Sequence, residues 1–235
     1  MMVLIDKPLE WTSFDAVNKM KYALKSYMRR QVDEGKWVLV HGQKLNIKIG
    51  HAGTLDPLAS GLLIVCIGKQ TKQIETYMGQ DKEYTGTFYI GATTPSFDLE
   101  TEVNAHFGTS HITPELIHQT ALQFIGKQQQ FPPVYSAIKK DGKRLYESAR
   151  EGKEVELTSR TVNIIEFEIT DIQLPLVSFR IACGKGTYIR SIANDFGKAL
   201  GSGAYLHSLR RTKIGTASVA EAMSVDGFVN WVSQA

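Results

Sequence analysis

The sequence predicts an α+β domain, with a mixed, largely antiparallel central sheet and flanking helices. Three observations carry that expectation. Short strand-like runs, among them Leu62-Leu63-Ile64-Val65-Cys66-Ile67, are interleaved with helical patterns in no regular strand–helix–strand rhythm. A chain of 235 residues, 43% of them hydrophobic, suits one large domain with a substantial core. No internal repeat or low-complexity tract breaks the pattern.

Taken in order, Val3-Leu4-Ile5 is a short strand closed by Asp6-Lys7-Pro8. Thr12 or Ser13 can N-cap a helix from Phe14 to about Tyr27, with Val17, Met20 and Leu24 on one face. Residues 26–48 are basic and irregular, a solvated excursion with a short strand at Trp37-Val38-Leu39-Val40. The stretch Gly50-His51-Ala52-Gly53-Thr54-Leu55-Asp56-Pro57-Leu58-Ala59-Ser60-Gly61 is a shaped loop, because its three glycines permit φ > 0 and its proline fixes φ. It runs directly into the apolar stretch 62–67, a buried strand.

Residues 71–78 suit a short helix. In 82–91, Tyr84, Phe88 and Ile90 alternate with Thr85, Thr87 and Tyr89, the pattern of a half-buried strand. A polar loop covers 93–101. Thr113-Pro114-Glu115 opens a helix that reaches Ile125, with Leu116, Ile117, Ala121, Phe124 and Ile125 as its stripe. Residues 128–152 read as a basic, aromatic-bearing protrusion: a stiff Phe131-Pro132-Pro133-Val134-Tyr135-Ser136, a turn at Asp141-Gly142 and a helical 145–150. Strands follow at 162–167 and 177–182. Thr187 can cap a helix burying Ile189, Ile192, Ala193, Phe196 and Leu200, which Gly201-Ser202-Gly203 ends. Strand-like residues reach Ile214, and a last short helix lies near 225–232.

Charge is unevenly spread. Residues 21–48 carry +5, 139–153 carry +3 and 180–213 carry +6, leaving −11 elsewhere against a net +3. Such polarity suits a basic face for nucleic acid, or lysines scattered over solvated surface. Cys66 and Cys183 lie far apart in apolar runs and read as buried thiols. No CxxC, HExxH or His/Cys cluster occurs, so metal catalysis has no support in the sequence, and no GxSxG or P-loop pattern is present. The N-terminal apolar run is too short for a signal peptide and no run reaches a membrane span, so a soluble, cytoplasmic protein is expected.

Asp56 reads either as a turn aspartate or as a single ionised carboxylate used as nucleophile or base, since no second acid shares its loop. A carboxylate kept charged in a closed site needs a cation, and Arg190 offers one unless it is a surface arginine. Tyr84 suits a base stack or an ordinary cross-strand pair. His51 suits a phosphate or base contact, or a structural hydrogen bond. The Gly184–Tyr188 junction can hold a phosphate through backbone N–H groups and Lys185.

Together the blocks resemble the TruB-type tRNA pseudouridine synthases. Leu4-Ile5-Asp6-Lys7-Pro8 with Ser13 is similar to that family's N-terminal motif, and Gly50–Gly61 to its catalytic loop. Lys82-Glu83-Tyr84 resembles its tyrosine strand. Pro133-Val134-Tyr135-Ser136-Ala137-Ile138-Lys139 and Gly142-Lys143-Arg144-Leu145-Tyr146 resemble its RNA-gripping thumb. Gly184-Lys185-Gly186-Thr187-Tyr188-Ile189-Arg190-Ser191 resembles its arginine motif, and Gly203-Ala204 with Leu209-Arg210-Arg211 a late active-site segment.

The resemblance implies the pseudouridine synthase fold, with a catalytic domain over 1–225, a thumb insertion at about 127–153 and a short tail at 226–235. It leaves no room for the family's C-terminal PUA domain, so grip on the acceptor end of tRNA is expected to be weaker or differently made. It implies isomerisation of uridine 55 in the TΨC loop of tRNA, without cofactor and with a flipped base, and nothing in the sequence demands more than a monomer. Asp56 would be the nucleophile, acting on ribose C1′ or uracil C6. Tyr84 would stack on the base and take part in a later proton transfer. Arg190 would pair with Asp56, and Leu209 would line the pocket near Tyr188. His51 would help extrude the nucleotide, Lys7 and Pro8 would support the tyrosine segment, and Asp98 would lie near the rearranged loop nucleotides. An RNA-binding, tRNA-folding protein using the same basic face without chemistry is the alternative, and a nucleoside hydrolase a third reading.

Overall fold

A computed structural model describes residues 1–38, 45–135, 139–140, 143–144 and 157–234. The expected strand end at Leu39-Val40, the Asp141-Gly142 turn and the 145–150 helix lie outside the described residues.

Met2–Lys7 is β1, and Ser13–Asp33 is α1. Thr12 is the N-cap: its Oγ1 accepts from Asp15 N at 3.0 Å, and the Asp15 carboxylate accepts from Thr12 N at 3.0 Å, a reciprocal capping box. The helix runs six residues past the predicted end. Residues 28–33 extend it and Gln31 is buried, so the basic excursion begins later than expected. The chain then folds back, Gln31 O accepting from Lys36 N and Trp37 N, and the Trp37 ring meets Tyr27 edge-on at 6.0 Å. Trp37 and Val38 are therefore not in a strand.

Ile49–His51 is β2, Ala59–Ile67 β3, Ile74–Gly79 α2 and Lys82–Ile90 β4. Ala92–Thr93 (β5) pairs with Ala105–His106 (β6). Pro114–Gln123 is α3, capped by Thr113, whose Oγ1 accepts from Leu116 N at 3.2 Å. It buries Ile117 and Ala121, but Ile125 lies beyond its end and is exposed, a departure from the predicted stripe. Gly126–Gln130 is β7; Lys139–Lys140 (β8) pairs with Lys143–Arg144 (β9). Arg160–Gln173 is β10, Leu176–Cys183 β11, Ile189–Ala199 α4, Ala204–Ile214 β12, Ala217–Ser218 β13, Met223–Ser224 β14 and Val225–Gln234 α5.

These elements form two compact units, residues 1–80 with 210–235, and residues 81–209. Strand β12 contributes 210–214 to the first and 204–209 to the second.

In the first unit the strand order is β14-β1-β3-β12, with β2 also on β3. β1 and β2 run antiparallel to β3, and β14 parallel to β1. The continuous apolar run in β3 is explained by burial on both faces. Leu63, Val65 and Ile67 pack with Ala16, Val17, Met20 and Leu24 of α1 and Val225, Phe228 and Val232 of α5. Leu62, Ile64 and Cys66 face the other way, onto Ala52 and Ile214. The stretch expected as a tail at 226–235 is thus built into this core through α5.

In the second unit the order is β12-β4-β11-β10-β7, with β4–β11, β10–β11 and β7–β10 antiparallel. Its core is aromatic. Phe88 stacks on Phe179 at 4.2 Å, and Phe167, Phe196 of α4 and Phe124 fill in around them at 5.4–6.4 Å. The architecture is α+β. Among the described residues no helix is long and apolar enough to cross a membrane.

Candidate active site

The loop expected over Gly50–Gly61 is shorter in the structure, where Gly50 and His51 belong to β2, 59–61 to β3, and 52–58 connect the two; buried groups fix its shape. Ser13 Oγ is both donor and acceptor to one residue, donating to Leu55 O at 3.1 Å and accepting from Leu55 N at 2.8 Å. Because Thr12 takes the capping task, the Ser13 hydroxyl is left for the loop. Glu10 N donates to Pro57 O at 2.8 Å, and Ala59 N to Asp56 O at 3.1 Å. Asp56 is half-buried, between the anchored residues Leu55 and Pro57.

Arg211 is the deepest anchor. Its side chain is buried at 1% exposure and donates to three carbonyls: Nε to Leu62 O at 2.8 Å, Nη2 to Gly53 O at 3.1 Å and Nη1 to Thr54 O at 3.4 Å. Gly61 sits at φ +105°, and a β-carbon there would run into the Arg211 backbone. The neighbouring Arg210 forks onto Asp6 of β1, at 3.0 and 2.7 Å.

Lys7 is fully buried, its Nζ donating to Pro8 O at 2.8 Å and Trp11 O at 2.5 Å. Burial pulls its ammonium down to about 8; the Asp56 charge opposes that fall and Arg211 adds to it. Lys7 thus feels the charge of both Asp56 and Arg211. The unfolded chain holds the Lys7 proton to about pH 10.5. Between pH 8 and 10.5 the unfolded state therefore binds more protons, and this group's contribution to stability rises with pH across that window. Lys7→Met is expected to flatten that rise. Denaturant unfolding from pH 7 to 10.5 checks it, and parallel curves for the two proteins would contradict it.

His51 is half-buried, and its Nδ1 has no hydrogen-bond partner among the described residues. Burial pushes its pKa down; a backbone contact with Gly53 opposes this, and Arg211 adds to the fall, so the ring is mainly neutral at pH 7.

The other predicted residues belong to the second unit. Arg190, at the second helical position of α4, is not a surface arginine: it is 4% exposed. Its Nη1 donates to Tyr135 O at 2.8 Å and Ser96 O at 3.4 Å, and its Nε lies 3.5 Å from Asp98 Oδ2. Asp98 is itself buried at 5%. Its carbonyl accepts from Thr94 Oγ1 at 2.6 Å, and its Oδ1 from Glu100 N at 2.9 Å. The Thr101 hydroxyl closes this loop onto Ser96 at 2.8 Å.

Tyr84 is 8% exposed, on the buried face of β4 with Phe88 and Ile90, as the alternation predicts. Leu209 is half-buried on β12, the strand beside β4, where the Thr87 and Ser208 hydroxyls are 2.7 Å apart. Tyr188 is the N-cap of α4 without a side-chain capping bond; Thr187, the predicted cap, donates to Gly184 O at 2.9 Å instead. The predicted phosphate cradle is partly spoken for, since Gly184 N donates to Asn163 O and Tyr188 N to Gln130 Oε1, both at 2.8 Å.

Sequence reasoning named Arg211 only within the Leu209-Arg210-Arg211 block and missed its anchoring of the loop; it missed Gln130 altogether. Gln130 carried only its position at the end of a glutamine run before Phe-Pro-Pro.

Residues 40–189 match the family described as TruB family pseudouridylate synthase, N-terminal domain. The chain belongs to that family. As a TruB-family pseudouridine synthase it is an isomerase. It is 57% identical over 227 residues to the tRNA pseudouridine synthase B of Flavobacterium johnsoniae, covering 97% of this chain and 93% of that one. It is 47% identical over 233 residues to the protein of the same name from Phocaeicola vulgatus, covering 99% and 93%. Among solved structures it resembles a chain of a Cbf5-Nop10-Gar1 complex, with TM-score 0.68 and 26% identity over 98% of this chain. It also resembles a chain of an H/ACA RNP bound to a substrate RNA containing 2'-deoxyuridine, with TM-score 0.67 and 25% identity over 99% of this chain. The TruB-family chain spans 54–55% of the length of those two solved chains.

Proposed function

We propose that the chain converts uridine 55 in the TΨC loop of tRNA to pseudouridine, with Asp56 as the nucleophile. The observation that carries this reading is the Asp56 loop: a half-buried carboxylate on a backbone held by Ser13, Glu10 and Arg211, its charge felt by the buried Lys7 ammonium. The names of the relatives above support tRNA as substrate.

The reaction breaks the N1–C1′ bond, turns the uracil in place and forms C5–C1′; C5 gives up its proton and the freed N1 takes one up from water. Atoms and electrons balance without a cofactor. The base must leave its stack, at a cost of about a few kcal/mol, which phosphate contacts from the basic segments offset. In this reading Asp56 attacks C1′ or C6 as the nucleophile. Tyr84 stacks on the flipped base and serves the later proton transfer. Leu209 and Tyr188 line the pocket. Arg190 supplies positive charge to the carboxylate and Asp98 orients its guanidinium. His51, neutral at pH 7, contacts the extruded nucleotide, and Lys7 supports the segment facing it. The catalytic domain in this reading takes in α5, and the RNA-gripping insertion follows β7, in a cytoplasmic monomer.

Mapping pseudouridine in an unmodified tRNA transcript after treatment tests the substrate. One pseudouridine at position 55 is expected; product at another position only would contradict it.

A further inference from the structure

We propose that Gln130 is a positioning residue for Arg190, tying the end of β7 to the first turn of α4. The proposal rests on the reading of Arg190 as an active-site group.

Gln130 is 3% exposed at the last position of β7. Its Oε1 accepts from Tyr188 N at 2.8 Å, and its Nε2 donates to Tyr188 O at 3.1 Å. One primary amide thereby satisfies both backbone groups of one residue, as a neighbouring strand would. Tyr188 needs this. It is the N-cap of α4, extended at φ −100° and ψ 114°, and no side chain caps the helix. The same Tyr188 carbonyl accepts the helix's first bond, from Ile192 N at 3.2 Å. Where the helix begins is therefore set by the Gln130 amide, and Arg190 stands two residues further on.

The neighbouring contacts run the same way. Ser191 Oγ donates to Phe131 O at 2.7 Å, and Arg190 Nη1 to Tyr135 O at 2.8 Å. Residues 188, 190 and 191 are thus all bonded to the 130–135 segment. Arg160, the register partner of Gln130 on β10, lies over the Tyr188 ring at 4.6 Å. Backbone and ring of Tyr188 are both held by one cross-strand pair. No other side chain substitutes well: Asn is a methylene short, ionised Glu has no donor for the carbonyl, and Met fills the volume without pairing.

Two variants, Gln130→Met and Gln130→Glu, test the proposal in the full chain. Hydrogen exchange in free protein is expected to quicken by about tenfold or more at 188–192, with other helices unchanged. In single-turnover reactions on tRNA the rate is expected to fall by roughly tenfold to a hundredfold while tRNA affinity stays within about threefold, the pattern of misplacement. Placed in an Arg190→Lys background, Gln130→Met is expected to add little further loss, because both act through one guanidinium. Unchanged exchange at 188–192, or a rate loss that multiplies in full in the Arg190→Lys background, would overturn it. Absence of pseudouridine with the parent protein would instead overturn the proposed function, and the exchange measurement would still decide the role of Gln130.

Discussion

Asp56→Asn is expected to fold, to bind tRNA with parental affinity and to form no pseudouridine. The substitution keeps the shape of the side chain and removes its charge. The loop's shape comes from elsewhere, from Ser13 on Leu55, Glu10 on Pro57 and Arg211 on Gly53 and Thr54, and none of those groups is altered. Removing a nucleophile from an assembled site lowers the rate by roughly four orders of magnitude or more. There is an electrostatic signature as well. Asp56 holds the Lys7 pKa up against burial, so in Asp56→Asn the Lys7 ammonium is expected to titrate below its parental value of about 8. Single-turnover kinetics, filter binding and the pH dependence of unfolding read the three consequences separately. A variant with parental rate would end the assignment.

Arg211→Met carries the second large effect, and it falls on stability first. The guanidinium is buried and its partners are three carbonyls of the Asp56 loop and β3. Methionine leaves those oxygens without donors, at about 1–3 kcal/mol for each group that water cannot reach. A total loss of about 3 kcal/mol or more is expected, seen as a lower denaturant midpoint. Arg211→Lys is expected to recover only part of it, since an ammonium cannot reproduce the fork. Removing the Arg211 charge also lifts a load from Lys7, whose pKa is expected to rise. A midpoint unchanged in Arg211→Met would show that the loop holds its shape by other means.

Much of this architecture is legible in the sequence, and the reasons are local. β3 reads as a buried strand because six consecutive apolar residues need cover on both faces, and α1 with α5 on one side and Ile214 with Ala52 on the other provide it. β4 and β11 read correctly because their alternation survives in the fold, with Phe88, Phe179 and Ile181 buried. The ends were less legible. α1 overruns its predicted limit because residues 28–33 have good helix formers but no clear stripe, and burial of Gln31 has no hydrophobic signal. Thr187 is not at the capping position, which Tyr188 holds, its backbone N–H and C=O paired by the amide of Gln130, 58 residues away in sequence. In the site, Asp56 was marked by its glycine- and proline-shaped loop. Arg211 and Ser13 were named only as members of motif blocks, and their anchoring work was not legible, because it consists of hydrogen bonds to backbone groups distant in sequence, which leave no periodic trace.

The central claim is that one carboxylate isomerises a bound uridine. It is tested most directly by release of tritium from an unmodified tRNA transcript labelled at uracil C5, with free uracil followed in the same tube. Parent protein is expected to release tritium in step with pseudouridine and no free uracil, and Asp56→Asn to release neither. Free uracil, or tritium released equally by both proteins, would contradict it.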